Sequence, residues 1–128
     1  MVENTMETFH KQIEIGALGS SQFVQLDALV DTGASYTVVP RDVLARLGVQ
    51  ATESDSFILA DGSQRQYDMG WVQVRIDSRV ELSLCVFGES GSGALLGAFT
   101  LEAFRLGVDA LNHRLIPTPA YLTKVMNN

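Results

Sequence analysis

A carboxylate, a hydroxyl and a glycine follow one another at Asp31-Thr32-Gly33, where the mostly apolar stretch Val24 to Val30 ends. A carboxylate held within reach of a reacting group can take up or deliver a proton. An unpaired buried one is very costly, so Asp31 must be solvated, hydrogen-bonded or neutralised. Thr32 offers a hydroxyl, Gly33 lets the backbone turn tightly and lets another group approach its N–H, and Ala34 and Ser35 are small. The stretch reads as one built for access. Asp and Gly are also leading turn residues, so on its own the triplet reads equally as an ordinary turn.

Other residues with chemical potential have weaker surroundings. Cys85 stands in the alternating stretch Leu82 to Phe87 with no base motif beside it, which suits a small core residue rather than a nucleophile. His10 and His113 have no metal-ligand spacing with Cys, Asp or Glu, and read as surface or strand-end residues. Trp71 lies among alternating polar residues and reads as a packing residue. No metal or organic cofactor is expected.

The chain has 128 residues and a net charge of -6, with 46% hydrophobic and 19% charged residues. That length suits one domain with its own core, expected over 1–128 with the core at about 8–117 and flexible termini. The acidic balance gives no general attraction to nucleic acid or to anionic membrane surfaces. No apolar run approaches a membrane span and no secretory leader pattern opens the sequence, so a cytosolic protein is expected. A lone cysteine allows no internal disulfide, leaving core burial or assembly to provide stability.

The elements that must position Asp31 are short and mostly extended. Thr8 to Gly16 and Gln22 to Val30 read as a hairpin around Ala17 to Ser21, and Tyr36 to Val39 as a strand. Pro40 at the first helical position and Gly48 just past the end mark a short helix over 40–47. Ser56 to Ala60 and Gln66 to Ile76 flank Asp61-Gly62, a strong hairpin signal. The turn 77–79 leads into a strand over Val80 to Phe87, and a glycine-rich loop at 88–93 precedes the apolar Ala94-Leu95-Leu96-Gly97. Thr100 to Leu106 suits one or two helical turns, and Val108 to Leu111 with Arg114 to Ile116 suits a last hairpin, stopped by Pro117 and Pro119. Many short strands with one or two short helices, and no internal repeat, predict a small β-barrel.

The order of these parts resembles the retropepsin-type aspartic proteases, the single-domain class that includes the retroviral enzymes. Leu29-Val30-Asp31-Thr32-Gly33-Ala34-Ser35 is similar to that family's apolar strand running into Asp-Thr-Gly-Ala. Phe57 to Tyr67 stands where the family has its flap hairpin. Leu95-Leu96-Gly97 matches its second signature of two apolar residues and a glycine, with a short helix following at Thr100 to Leu106. The resemblance implies an all-β fold, a small closed barrel of the retropepsin type with its active site on a homodimer twofold.

It also implies an aspartic endopeptidase. Peptide hydrolysis by aspartates needs one carboxylate to take a proton from water and one carboxylic acid to hydrogen-bond the scissile carbonyl. Held about 3 Å apart, the two cannot both ionise and share one proton. The sequence has a single Asp-Thr-Gly, since Asp61-Gly62-Ser63 has the wrong order, so each of two copies must contribute Asp31. By the same resemblance Thr32 bonds across the axis, Gly33 presents its backbone to the substrate, and Ala34 and Ser35 line the site. Ala60, Asp61, Gly62 and Ser63 form the flap tip over a peptide or unfolded protein, with Leu95, Leu96 and Gly97 as support. Two departures stand out. Ser35-Tyr36 replaces the acidic residues of the retroviral enzymes, and the flap tip is poorer in glycine. These motivate the alternative of an inactive dimerisation or peptide-binding module on the same fold.

Overall fold

The structure, a computed structural model, describes residues 8–119. The expectation of flexible termini concerns residues outside that range. Strands β1 (Thr8–Gly16) and β2 (Phe23–Asp31) form the first hairpin, with Thr8 opposite Asp31. β3 (Thr37–Pro40) runs into α1 (Arg41–Leu47), and β4 (Glu53–Ile58) pairs with β5 (Gln64–Ile76). β6 (Arg79–Gly88), β7 (Ala94–Leu96) and α2 (Ala98–Ala103) follow, and β8 (Leu106–Asp109) with β9 (Arg114–Pro117) makes a separate two-stranded sheet.

The main sheet has the order β1-β2-β7-β3-β6-β5-β4, and pairing of β1 with β5 closes six of its strands into a barrel. β5 makes this possible by its length. Its first half extends with β4 beyond the barrel as a hairpin, and its second half pairs with β6 and touches β1. β7 inserts between β2 and β3, parallel to β2 with Leu95 beside Leu29 and Leu96 beside Val30. The second apolar signature is therefore laid against the strand that ends on Asp31.

Period-two alternation sends Ile13 and Ile15 of β1, Val72, Val74 and Ile76 of β5, and Val30, Val39 and Leu96 into one core, which Leu44, Leu101 and Phe104 complete from the helices. Pro40 sits at the helix N-cap rather than inside the helix, ending β3 where no further ladder N–H is needed. Gly48 closes α1 at φ 79°, donating to Ala45 while Val49 donates to Leu44, a conformation that favours glycine. The second helix starts at Ala98, two residues before its expected start. Leu106 belongs to β8, because Phe104 ends the helix and Arg105 takes a left-handed conformation at φ 54°.

One expectation about a side chain needs correction. Trp71 is 45% exposed, because it lies on the outward face of β5 with Gln73 and Arg75. In β6 the alternation runs against polarity: Leu82 is 56% exposed while Ser83 is buried. Cys85 is fully buried, and burial pushes its thiol up to about 12. It is expected to stay unmodified by a thiol reagent in the native protein and to react at the rate of unfolding, as labelling along a urea series would report. No helix among the described residues is long and apolar enough to cross a membrane.

Candidate active site

Asp31 is the last residue of β2 and is partly exposed, with Thr32 and Gly33 on the surface beyond it. The apolar strand thus ends at the edge of the barrel rather than inside it. The Gly33 N–H donates to Asp31 Oδ1 at 2.9 Å, and the Ala34 N–H donates to the Asp31 carbonyl at 3.2 Å. A tight turn therefore presents the carboxylate. A Cβ on Gly33 would stand 3.2 Å from Asp31 Oδ1, a tight contact to which the carboxylate would have to give way.

The loop is fastened from beneath by the segment after β7. Ala98 N–H donates to the Ala34 carbonyl at 2.8 Å, and Phe99 N–H to the Ser35 carbonyl at 2.9 Å. Gly97 is buried between them, and a Cβ there would come within 2.5 Å of the Tyr36 carbonyl group. Leu95 and Leu96 thus support the loop by strand pairing, and Gly97 by the absence of a side chain.

A knot of buried hydroxyls, not foreseen in the sequence, completes this support. Thr37 Oγ1 accepts the Gly97 N–H at 3.1 Å and lies 2.5 Å from Thr100 Oγ1, which is 2.8 Å from Ser83 Oγ. Thr37 and Thr100 have no exposed surface and Ser83 has little. One sequence signal points to them: hydroxyls standing at inward positions of apolar elements must find partners, and three such positions can satisfy one another. Thr100→Val removes the central member and leaves Thr37 and Ser83 short of a partner. A loss of about 1–3 kcal/mol is expected, read as a lower urea midpoint at unchanged slope.

A cleft of about 490 Å³ opens beside the turn. Gly33, Ala34, Ser35 and Tyr36 form one side, Val38, Val86, Gly88, Glu89 and Ser92 another, and the β4–β5 hairpin covers it with Phe57, Ile58, Leu59 and Tyr67. Asp31 adjoins this cleft through Gly33. Tyr36 meets Phe57 and Phe99 edge-on, with ring centres 5.7 and 5.1 Å away, and Phe57 leans on Tyr67 at 6.0 Å. The hairpin is thus packed by aromatic rings, close to its tip, onto the loop that carries Asp31.

Ala60, Asp61, Gly62 and Ser63 lie at the exposed tip of the hairpin, while Phe57, Ile58 and Leu59 of the same hairpin face the cleft. The tip is a tight turn with Gly62 at φ 85°, its N–H donating to Leu59 at 2.9 Å, and with Leu59 N–H donating to Ser63 at 2.8 Å. The Ser63 hydroxyl, 2.6 Å from Asp61 Oδ1, and then the Ser63 N–H hold the Asp61 carboxyl below the usual range. His10 and His113 are exposed and lie away from the cleft, His10 against Asp27 at 3.0 Å and His113 stacked on Phe9.

Residues 21–103, more than half of the chain, match the family model described as "gag-polyprotein putative aspartyl protease". The chain belongs to that family. This retropepsin-like chain shares its fold with the EIAV protease complexed with the inhibitor HBY-793, at 16% identity and a TM-score of 0.56, over 84% of this chain and 91% of that one. A retropepsin-like aspartic protease from Rickettsia conorii aligns at 21% identity and a TM-score of 0.51, over 80% and 87% of the two chains. Lpg0085 from Legionella pneumophila, a protein of unknown function, aligns at 13% identity and 0.53, over 90% and 95%. No curated protein sequence matches. The expected all-β barrel of retropepsin type with one or two short helices is the observed fold, and the helices are two among the described residues.

Proposed function

We propose that the protein is an aspartic endopeptidase that works as a homodimer on extended or unfolded polypeptide. The observation that carries this reading is the partly exposed Asp31 carboxylate, presented by a turn fastened to Ala98 and Phe99 and adjoining an apolar cleft. Two such turns meeting at a twofold would set two Asp31 carboxyls side by side with one proton between them. The ionised one takes a proton from water, the water oxygen attacks the scissile carbonyl, and the protonated one hydrogen-bonds and then protonates the carbonyl oxygen. Return of a proton to the amide nitrogen releases the two products. Thr32, exposed at the turn, would bond across the axis, and the β4–β5 hairpin would close over the bound strand and exclude water.

The same arrangement without turnover would make a peptide-binding module. Packing of Tyr36 against Phe57 near the hairpin tip favours that second reading, since it ties down the element that must open. Cleavage of a peptide library, followed across protein concentration, separates the two. A protease of this design should show specific activity that rises with concentration until the dimer saturates, and inhibition by a pepstatin-type compound. Saturable peptide binding with no new termini at any concentration or pH would replace the first reading by the second.

A further inference from the structure

Among the residues that wall the cleft, Glu89 alone carries a formal charge. Its backbone is fixed: the Ser92 N–H and hydroxyl donate to the Glu89 carbonyl at 3.2 and 2.7 Å, and Arg41 Nε donates to the neighbouring Gly88 carbonyl at 3.2 Å. Its carboxylate meets Arg65 at 3.0 Å, both side chains being about half exposed. Arg65 comes from the hairpin on the other side of the cleft and also lies over the Tyr67 ring, 5.3 Å from its centre. The acid thus belongs to the barrel and its cation to the element that covers the cleft.

Given the reading of this cleft as a peptide groove, we infer that Glu89 selects substrates carrying a Lys or Arg close to the apolar side chain that fills the cleft. The incoming cation takes the place of Arg65. The apolar walls bind without regard to charge, and a half-exposed ion pair contributes little on its own, so Arg65 can be exchanged for a similar partner at small cost. A peptide Lys or Arg would recover that pairing while its stem lies along Tyr67 and Phe57. Neutral peptides gain nothing from Glu89, and acidic ones are repelled.

The test uses the full chain carrying Asp31→Asn, so that peptides persist, and fluorescence anisotropy with uncharged peptides centred on Phe in which a Lys is moved stepwise. One Lys position should tighten binding, by less than the roughly fivefold worth of one such ion pair while Arg65 competes for Glu89 and by up to that amount once Arg65 is removed. Glu89→Gln should abolish that preference, so that the Lys peptides and the uncharged peptide bind alike. Arg65→Ala should strengthen the same preference, but only while Glu89 is present, which separates local competition from the protein's general negative charge. Equal Lys effects at every position, a preference that survives Glu89→Gln, or no peptide binding at all would overturn the inference. Cleavage by the wild-type chain is scored separately with the uncharged peptide. Failure there removes the protease reading and leaves the Glu89 result to stand or fall by itself.

Discussion

Asp31→Asn is expected to lower peptide cleavage by at least about 10²–10⁴-fold, the usual contribution of a positioned proton-transfer group, while leaving the melting temperature close to that of the parent. Asparagine keeps the shape of the side chain, and its amide oxygen can still accept the Gly33 N–H that Asp31 Oδ1 accepts at 2.9 Å. What it loses is the exchangeable proton. Because the proposed mechanism draws one carboxyl from each subunit, the variant should also poison the parent. Adding excess Asp31→Asn chain to a fixed amount of active protein should draw it into mixed dimers and lower the measured rate. If the variant retains activity, or the mixture simply keeps the activity of its active fraction, Asp31 is not half of a shared site.

Gly97→Ala is expected to cost about 3 kcal/mol, at the upper end for forced overpacking, and to lower the melting temperature by roughly 10 °C. The added carbon would lie 2.5 Å from the Tyr36 carbonyl carbon and oxygen, and backbone cannot swing away as a side-chain tip can. The strand pair or the loop must therefore shift, and the bonds from Ala98 and Phe99 to Ala34 and Ser35 shift with it. Activity should fall more than stability alone explains, with the loss persisting well below the new melting temperature. An alanine variant that melts and cleaves like the parent would show that this close approach does not position Asp31.

Much of this was legible in the chain because local rules agreed with one another. The hairpins around 17–21 and 61–62, the helix bracketed by Pro40 and Gly48, and the strand into Asp31 each carry their own turn or cap chemistry. The segment after Gly97 was read two residues late, because Ala98 and Phe99 have no capping side chain ahead of them. β6 was legible only in part. Cys85 reads as a core residue, but its neighbours Leu82 and Leu84 are the apolar ones, and nothing local shows that Ser83 shares the interior with it. That choice depends on Thr37 and Thr100, whose hydroxyls lie far away along the chain and cannot be seen from a window around Ser83. At the site, the Asp-Thr-Gly triplet was visible in sequence, whereas the cleft-facing roles of Phe57, Tyr67 and Glu89 appear only once the hairpin is folded over the loop.

The hydroxyl knot also imposes an order on biosynthesis. Asp31 leaves the ribosome before the residues that hold its loop in shape, Gly97, Ala98, Phe99 and Thr100. A nascent chain therefore carries the acid without the support that shapes the turn, and gains that support only when β7 slides between β2 and β3. For the proposed cutting of extended polypeptide, the delay would be protective. The partly made chain is the nearest unfolded polypeptide, and the shape needed to attack it arises only as the chain ceases to be one.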